Sequence, residues 1–405
     1  MFQIILSIAA LLISIVILQL GNSMLAPTIV LNANQAGASL SSVGLIPTVY
    51  GLGFVAGCFW ARKLMKTVGH IRSFSAAGAA LASLTLLMHL IPDTVALILF
   101  RGLMGVAIAI VMTCVDSWVG HVTPTNIRGR VMGFYSMITK LAYVGAPTLL
   151  SYSLLISENA IIYAVLLFTV SLIPVCLTKL PQPPIGPSVP TSFSSLFKDL
   201  PSTFVAVFVL GFTNTAILNL LPVYGVKIGL PTSQALALLT AVHLGGLVMQ
   251  WPIGYLSDVF GRRNISAAGF FISSTTAIFM TMTFAEDPSY AFILSLVWGG
   301  AALSLYSVAL SHAIDRADRE QTVGVCATVL TIWSIGSIFG PGIAGVIMES
   351  FNVKALYLFC GAFHGFTALF ILMRLIVSNR RRKRQDKLTA EELEGVIWPQ
   401  NRPLT

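Results

Sequence analysis

Long apolar stretches separated by short polar connections constrain this chain more than any single residue does. A helix that crosses a bilayer needs about 20 mostly apolar residues, because in hydrocarbon each backbone N–H and C=O must be bonded within the segment. Such runs fall at about 4–29, 42–61, 73–91, 95–119, 131–155 and 161–178. They recur at about 203–226, 235–253, 265–284, 289–313, 323–348 and 355–377. Twelve spans are predicted. Alternating segments near ten residues, which a membrane barrel requires, do not appear. Composition agrees: 56% of the 405 residues are hydrophobic and 10% charged, against about 25% charged in a soluble domain. The fold class is therefore an all-α integral membrane protein. The first thirty residues lack a basic leader and an obvious cleavage site, and are read as a retained first helix.

Thr178 to Pro201 interrupts the series with Pro181, Pro183, Pro184, Pro187, Pro190 and several serines, a composition that neither spans a bilayer nor packs a core. The expected organisation is a six-helix bundle over 1–178, a cytoplasmic linker over 179–202, a second six-helix bundle over 203–377 and a basic cytoplasmic tail over 378–405. Lys and Arg accumulate in short cytoplasmic loops. Placing both termini inside puts Arg62, Lys63, Lys66, Arg72, Arg128, Arg130, Lys179, Lys198, Arg262, Arg263, Arg316 and Arg319 on that side, and leaves only Lys227 and Lys354 outside. The predicted location is a bacterial cytoplasmic (inner) membrane.

The net charge of +9 does not point to nucleic acid, because the basic residues punctuate apolar segments instead of forming a patch. Their one dense run, Arg380 to Arg384, suits anionic membrane lipid. The five cysteines, Cys58, Cys114, Cys176, Cys326 and Cys360, have no metal-ligand spacing and read as small apolar residues. No metal or cofactor is expected. Pro27 and Pro222, Gly105 and Gly300, Gly129 and Gly324, and Gly145 and Gly340 each lie 195 residues apart, which suggests two copies of one six-helix unit around a central path.

The sharpest polar connection runs from Gly254 through Asp258 to Gly261, Arg262 and Arg263. This stretch resembles the Gly-x-x-x-Asp-x-x-Gly-Arg-Arg/Lys signature of major facilitator superfamily transporters, and the resemblance extends to twelve helices, a central linker, an arginine in helix 4 and Gly-Pro elements in helices 5 and 11. Within that superfamily, Asp116-Ser117-Trp118 with Asn126 to Arg130 looks like a bacterial branch loosely described as drug or metabolite transporters. The resemblance implies alternating access, with the loop latching the two halves and Asp258 meeting the amino end of helix 5. From the residues themselves, Gly254 permits close helix approach and Gly261 the reversal. Asp258 accepts from free helix-start N–H groups or pairs with a guanidinium such as Arg130. Arg262 and Arg263 sit among headgroups. A topology anchor with no moving contact is the competing reading. The corresponding loop after helix 2 has Lys66 where Asp258 lies, so an asymmetric gate is expected.

Ionisable side chains within spans are costly and mark function by default. Three occur: Arg101 and Asp116 in helix 4, and Lys140 in helix 5. Arg101, Gly105 and Asp116 share one helix face, but Arg101 and Asp116 are about 22 Å apart along the axis. Arg101 also resembles the family's helix 4 arginine, which is implicated in proton coupling; packing against carbonyls is the alternative. Asp116 and Lys140 form either a pair that rearranges during transport or a static bridge, unless Lys140 meets an anionic solute directly. His243 and His312 are possible coupling assistants, with an ordinary hydrogen-bonded role as the alternative. In helix 11, Gly340 and Pro341 sit in a glycine-rich run that allows close packing and a kink. Gly145 and Pro147 are their looser counterparts in helix 5, where Leu141 replaces a glycine.

Helices 1, 4, 7 and 10 are expected to line the path, offering Gln19, Asn22, Asn214, Thr215, Asn219, Trp298 and Tyr306. Amides and aromatics of this kind suit a small organic or amphipathic solute. No nucleotide loop or local nucleophile constellation argues for an enzyme. The leading expectation is a monomeric secondary transporter, a proton-coupled efflux antiporter. Uptake of a polar or anionic metabolite, motivated by Lys140 and Leu141, is the second, and a membrane sensor or binding protein without turnover is the third.

Overall fold

The computed structural model describes residues 8–91, 93–124, 128–152, 159–178, 200–282, 288–316 and 322–397, with backbone alone for 128–130, 288, 322–324, 327 and 378–397. These residues form twelve helices. The first six are α1 (Ala9–Gln35), α2 (Leu40–Val68), α3 (His70–Leu90), α4 (Thr94–Val122), α5 (Arg128–Tyr152) and α6 (Ala160–Cys176). The second six are α7 (Pro201–Lys227), α8 (Thr232–Phe260), α9 (Arg262–Met282), α10 (Pro288–Ile314), α11 (Thr322–Ser350) and α12 (Ala355–Ile397). Ten are long and apolar enough to cross a membrane. The other two are α6, with 17 residues, and α5, whose apolar run is diluted by Arg128, Arg130 and Lys140. Most of the predicted linker lies outside the described residues, and α7 begins at Pro201.

The two halves repeat one packing scheme. In the first, α2 lies on α4, α1 on α5, and α3 on both α4 and α6. In the second, α8 lies on α10, α7 on α11, and α9 on both α10 and α12. The first three helices of each half are equal in length pairwise and start 192 residues apart. The connections follow the same offset: Gly37 and Gly229, and Gly69 and Gly261, adopt positive φ of 86°, 95°, 84° and 88°. Glycine is needed at these turns because other residues pay a steric cost there. The 195-residue spacing read from sequence is thus three residues out over these helices. Gly105 of α4 lies against the Tyr50 carbonyl of α2, and the residue lying likewise against Val242 of α8 is Gly299, not Gly300. At this point the offset is 194, so the pairing of Gly105 with Gly300 is one residue out, whereas Gly145 on Leu20 and Gly340 on Phe212 do correspond at 195.

Two main seams join the bundles, α2 on α11 and α5 on α8, with a smaller contact of α1 on α7 between them. The repeat exchanges them, as a two-fold relation requires. Their chemistry differs. On the first seam Gly44 faces Pro341 and Gly345, Gly342 faces Thr48, and Gly51 faces Ile338. Backbones approach there because the facing side chains are small. On its other side α11 places Gly336 and Gly340 against the Phe208 and Phe212 carbonyls of α7. The glycine-proline run therefore serves both its own bundle and the partner bundle. The second seam is polar: Thr148 meets Thr240 at 3.3 Å, Tyr143 stacks on His243 with ring centroids 5.7 Å apart, and Lys140 donates to Gln250.

Both seams concentrate toward the end holding the α1–α2 connection. There Glu349, near the end of α11, accepts from the backbone N–H of Ser41 at 2.8 Å. It thereby caps the start of α2 from the opposite bundle. At the other end, which holds the α2–α3 and α8–α9 turns, α4 and α5 make no extensive contact with α10 or α11 among the described residues. Among the described residues the bundles are closed together at one end and parted at the other.

A methyl group at Gly340 would collide with the Phe212 carbonyl oxygen, whereas one at Gly145 meets only Leu20 Cδ1 at 3.8 Å. Gly340→Ala should therefore cost about 1–3 kcal/mol, and Gly145→Ala should stay within about 0.5 kcal/mol of wild type or gain through helix propensity. Thermal unfolding of the purified protein in detergent distinguishes the two; equal losses would contradict the packing asymmetry.

Candidate functional site

A chain of polar and aromatic side chains crosses the molecule near mid-depth. Arg101 of α4 is 2% exposed, and its guanidinium carbon lies 4.2 Å from the centroid of the Tyr50 ring of α2. The Tyr50 hydroxyl donates to Asn22 Oδ1 of α1 at 3.3 Å. One turn earlier on α1, Gln19 Nε2 donates to the Tyr143 hydroxyl of α5 at 2.8 Å and lies 3.6 Å from Met112 Sδ. Tyr143 stacks on His243 across the α5–α8 seam, and His243 is within electrostatic reach of Lys140. Helix periodicity explains the grouping on α1, since positions three apart share a face. The contacts themselves are long-range in sequence, which is why Tyr50 escaped the sequence reading.

Charge is left partly uncompensated in this region. Arg101 Nε and Nη1 are buried without a hydrogen-bond partner. The ring of Tyr50 offers a cation–π contact of about 2 kcal/mol when desolvated, but a ring face does not satisfy N–H donors. Among the described residues neither Arg101 nor Lys140 reaches a carboxylate. The sequence-predicted approach of Asp116 and Lys140 is not formed: Lys140 points across the seam to Gln250, while Asp116 sits nearer the parted end. Asp116 is exposed yet closely surrounded by protein, as expected for the wall of a concavity. Its carboxylate faces the Tyr135 hydroxyl of α5.

The signature loop forms a second cluster at the parted end. Arg262 Nη1 lies 2.9 Å from Asp258 and Arg262 Nε 2.5 Å from Asp315, at the end of α10. Arg262 also donates to the Ser257 hydroxyl at 3.2 Å. The loop thus ties α8, α9 and α10 together inside the second bundle. With 62% of its side chain exposed, Asp258 makes its described contact to Arg262, four residues on. The expected partner Arg130 lies among residues whose side chains are outside the description. Gly261 supplies the turn with φ 88°, but nothing lies within 4 Å of a methyl built on Gly254. Among the described residues no helix packs closely on Gly254. His312 belongs to this cluster too, within electrostatic reach of Arg316, Arg263, Asp315 and Arg262. Arg263 Nε is buried without a hydrogen-bond partner.

The remaining path candidates lie within the second bundle. Thr215 donates to the Gly211 carbonyl at 2.7 Å, Asn219 donates to the Thr215 carbonyl at 2.9 Å, and Asn214 Oδ1 is buried and unbonded. Trp298 is fully buried and stacked on His364 at 5.8 Å, inside the bundle instead of on a seam. His364 meets Ser273 and Thr213, both at 2.7 Å, the pattern of a satisfied core histidine. Tyr306 packs edge-on to Trp333 at 6.2 Å. Pro147 is buried in α5.

Two repeated six-helix bundles meeting along a polar seam, parted at one end, define a membrane transporter of the two-bundle class. Comparison with known proteins agrees. The family model for the Major Facilitator Superfamily matches residues 11–252 and 203–403, and the chain belongs to that family. A protein of Escherichia fergusonii named as an uncharacterised MFS-type transporter, YcaD, is 26% identical over 351 residues, covering 84% of this chain and 87% of its own length. A Salmonella paratyphi A protein of the same name is 24% identical over 375 residues, covering 90% and 94%. Among solved structures, the nucleoside transporter NupG superposes with a TM-score of 0.73 at 12% identity, covering 91% of this chain and 98% of its own. A bacterial homologue of the human lysosomal transporter Spinster, inward-facing and unoccupied, gives 0.67 at 16% identity, covering 91% and 94%.

Tyr50 supports Arg101 with its ring and Asn22 with its hydroxyl, and the two roles separate by substitution. Tyr50→Phe should cost about 1 kcal/mol through the lost hydrogen bond. Tyr50→Leu should cost about 2 kcal/mol more by removing the cation–π face as well. Thermal unfolding of the two variants checks this; identical losses would show that the ring face contributes nothing.

Proposed function

We propose that the protein moves a small organic solute across the membrane by alternating access, coupled to protons, as an export antiporter of the cytoplasmic membrane. The observation that carries this reading is the pair of seams: α2–α11 closed by glycines and the Glu349 cap, and α5–α8 bridged by side chains that can exchange partners. Positive-inside placement makes the parted end cytoplasmic, so the described arrangement is open inward. Asp116 on the wall at that end is the proton-carrying candidate, with Arg101, Lys140, His243 and His312 shaping its field. Gln19 and Asn22 contact solute from the first bundle, with Asn214, Thr215, Asn219 and Tyr306 the candidates in the second. In the outward-facing state the loop of Gly254, Asp258, Gly261, Arg262 and Arg263 closes on the amino end of α5 near Arg130, while Gly340, Pro341, Gly145 and Pro147 accommodate the rocking. Anionic lipid holds the basic tail, and the working unit is a monomer. A second reading, uptake of a polar or anionic metabolite, is favoured by Lys140 on the seam and by Leu141 in place of the motif glycine.

Proteoliposomes with an internal pH dye, screened with metabolites and drugs under imposed gradients, test the proposal. Solute movement should follow the proton gradient, with its sign separating export from uptake, and Asp116→Asn should uncouple the two fluxes. Saturable binding without gradient-dependent movement would point to a sensor. Glu349→Ala should shift spin-label distances across the α2–α11 seam toward the outward-open population; an unchanged distribution would remove the cap from the gate.

A further inference from the structure

We infer that the solute is a small organic anion, a carboxylate or phosphate, and that Lys140 recognises it by exchanging the Gln250 amide oxygen for the solute's charged oxygen. This deepens the transport reading and rests on it. Lys140 stands about 18 Å into α5 at 1.5 Å per residue, half-buried on the seam between the bundles. Its acceptor there is the neutral oxygen of Gln250. The bond to Gln250 is already charge-assisted on the lysine side, and a carboxylate or phosphate adds Coulomb attraction between two full charges at a site of low dielectric, so the anion outcompetes the amide.

The surroundings strengthen the preference. Arg101, behind Tyr50 and Asn22, adds a second cation whose Nε and Nη1 are buried and unbonded. Of the 15 acidic residues, Asp116 alone lies well inside a span, and it stands about 22 Å along α4 from Arg101. The mid-depth region therefore carries two cations and, among the described residues, no carboxylate beside them. Desolvated unpaired charge is strongly unfavourable, and an anionic solute relieves it where a cationic one would worsen it. Tyr143 and His243, stacked alongside, provide flat surface for an apolar portion.

The exchange has a mechanical consequence because Gln250 belongs to the opposite bundle. An anion that takes Lys140 removes one of the side-chain bridges across α5–α8, leaving Tyr143–His243 and Thr148–Thr240 nearer the closed end. Binding and loosening of the seam become the same event.

The test uses the full chain in lipid nanodiscs, with benzoate, benzamide and benzylamine as probes that differ in charge at similar shape. Acetate, succinate, phenyl phosphate and inorganic phosphate distinguish carboxylate from phosphate and organic from inorganic anions. Saturable binding is expected for organic anions, with the neutral and cationic analogues about tenfold weaker or worse. Lys140→Gln should weaken the anion about tenfold or more, Lys140→Arg should keep it within a few-fold, and Gln250→Ala should tighten it by freeing the lysine. A misfolded protein cannot show that gain. Spin labels at the exposed positions Met137 and Val248 should separate on adding the anion, but not in Lys140→Gln. Equal binding of the three charge analogues, no saturable anion binding, or full anion affinity in Lys140→Gln would each overturn the inference. Gradient-driven flux keeps the two readings apart: flux of neutral or cationic solutes alone overturns the anion and keeps transport, whereas anion binding without flux keeps the Lys140 assignment and ends transport.

Discussion

In hydrocarbon no hydrophobic force drives one helix against another, since lipid tails are as apolar as leucine. Association must come from close packing and from the few polar groups able to bond between helices. Glycines accordingly sit where backbones meet: Gly53 on Gly102 and Gly105 on Tyr50 in the first bundle, Gly245 on Leu296 and Gly299 on Val242 in the second. Each contact removes the space a side chain would occupy. The repeated geometry of the two halves follows from that requirement as much as from the repeated sequence.

The same environment makes each embedded charge expensive, and the molecule treats its charges unequally. Arg262 is flanked by two carboxylates at the aqueous end, where such pairing is worth little because water screens it. Arg101 and Lys140, deeper in, have an aromatic face and an amide instead. A protein selected for stability alone would place its carboxylates the other way round. The inversion is what the proposed recognition of an anionic solute at mid-depth rests on.

The sequence announces twelve helices because the need for internally bonded backbone leaves long apolar runs that nothing else explains. It also announces the turn at Gly261, because a single glycine before two arginines has few other uses. It is less informative about partners. Lys140 and Asp116 read as neighbours from their helix ends, yet helix rotation sends Lys140 to Gln250, 110 positions away in the chain. Trp298 reads as a path residue by helix number, but its face turns to His364. Periodicity fixes which residues share a face and leaves open which neighbour that face meets. The repeat register was similarly blurred, because the offset between the halves is 192 over the first three helices, 194 at Gly105 and Gly299, and 195 at Gly145 and Gly340.

The unlike construction of the two seams bears on how such a protein changes its cargo over evolutionary time. With the α5–α8 seam in its proposed role, side chains along α5 and α8 can be replaced singly, each altering what is recognised while the glycine-lined contact of α2 with α11 stays intact. Along α2 and α11 there is little to replace, since almost any larger residue would wedge the halves apart. One seam is free to diverge because the other is not, and new specificities can arise here without a new hinge being invented.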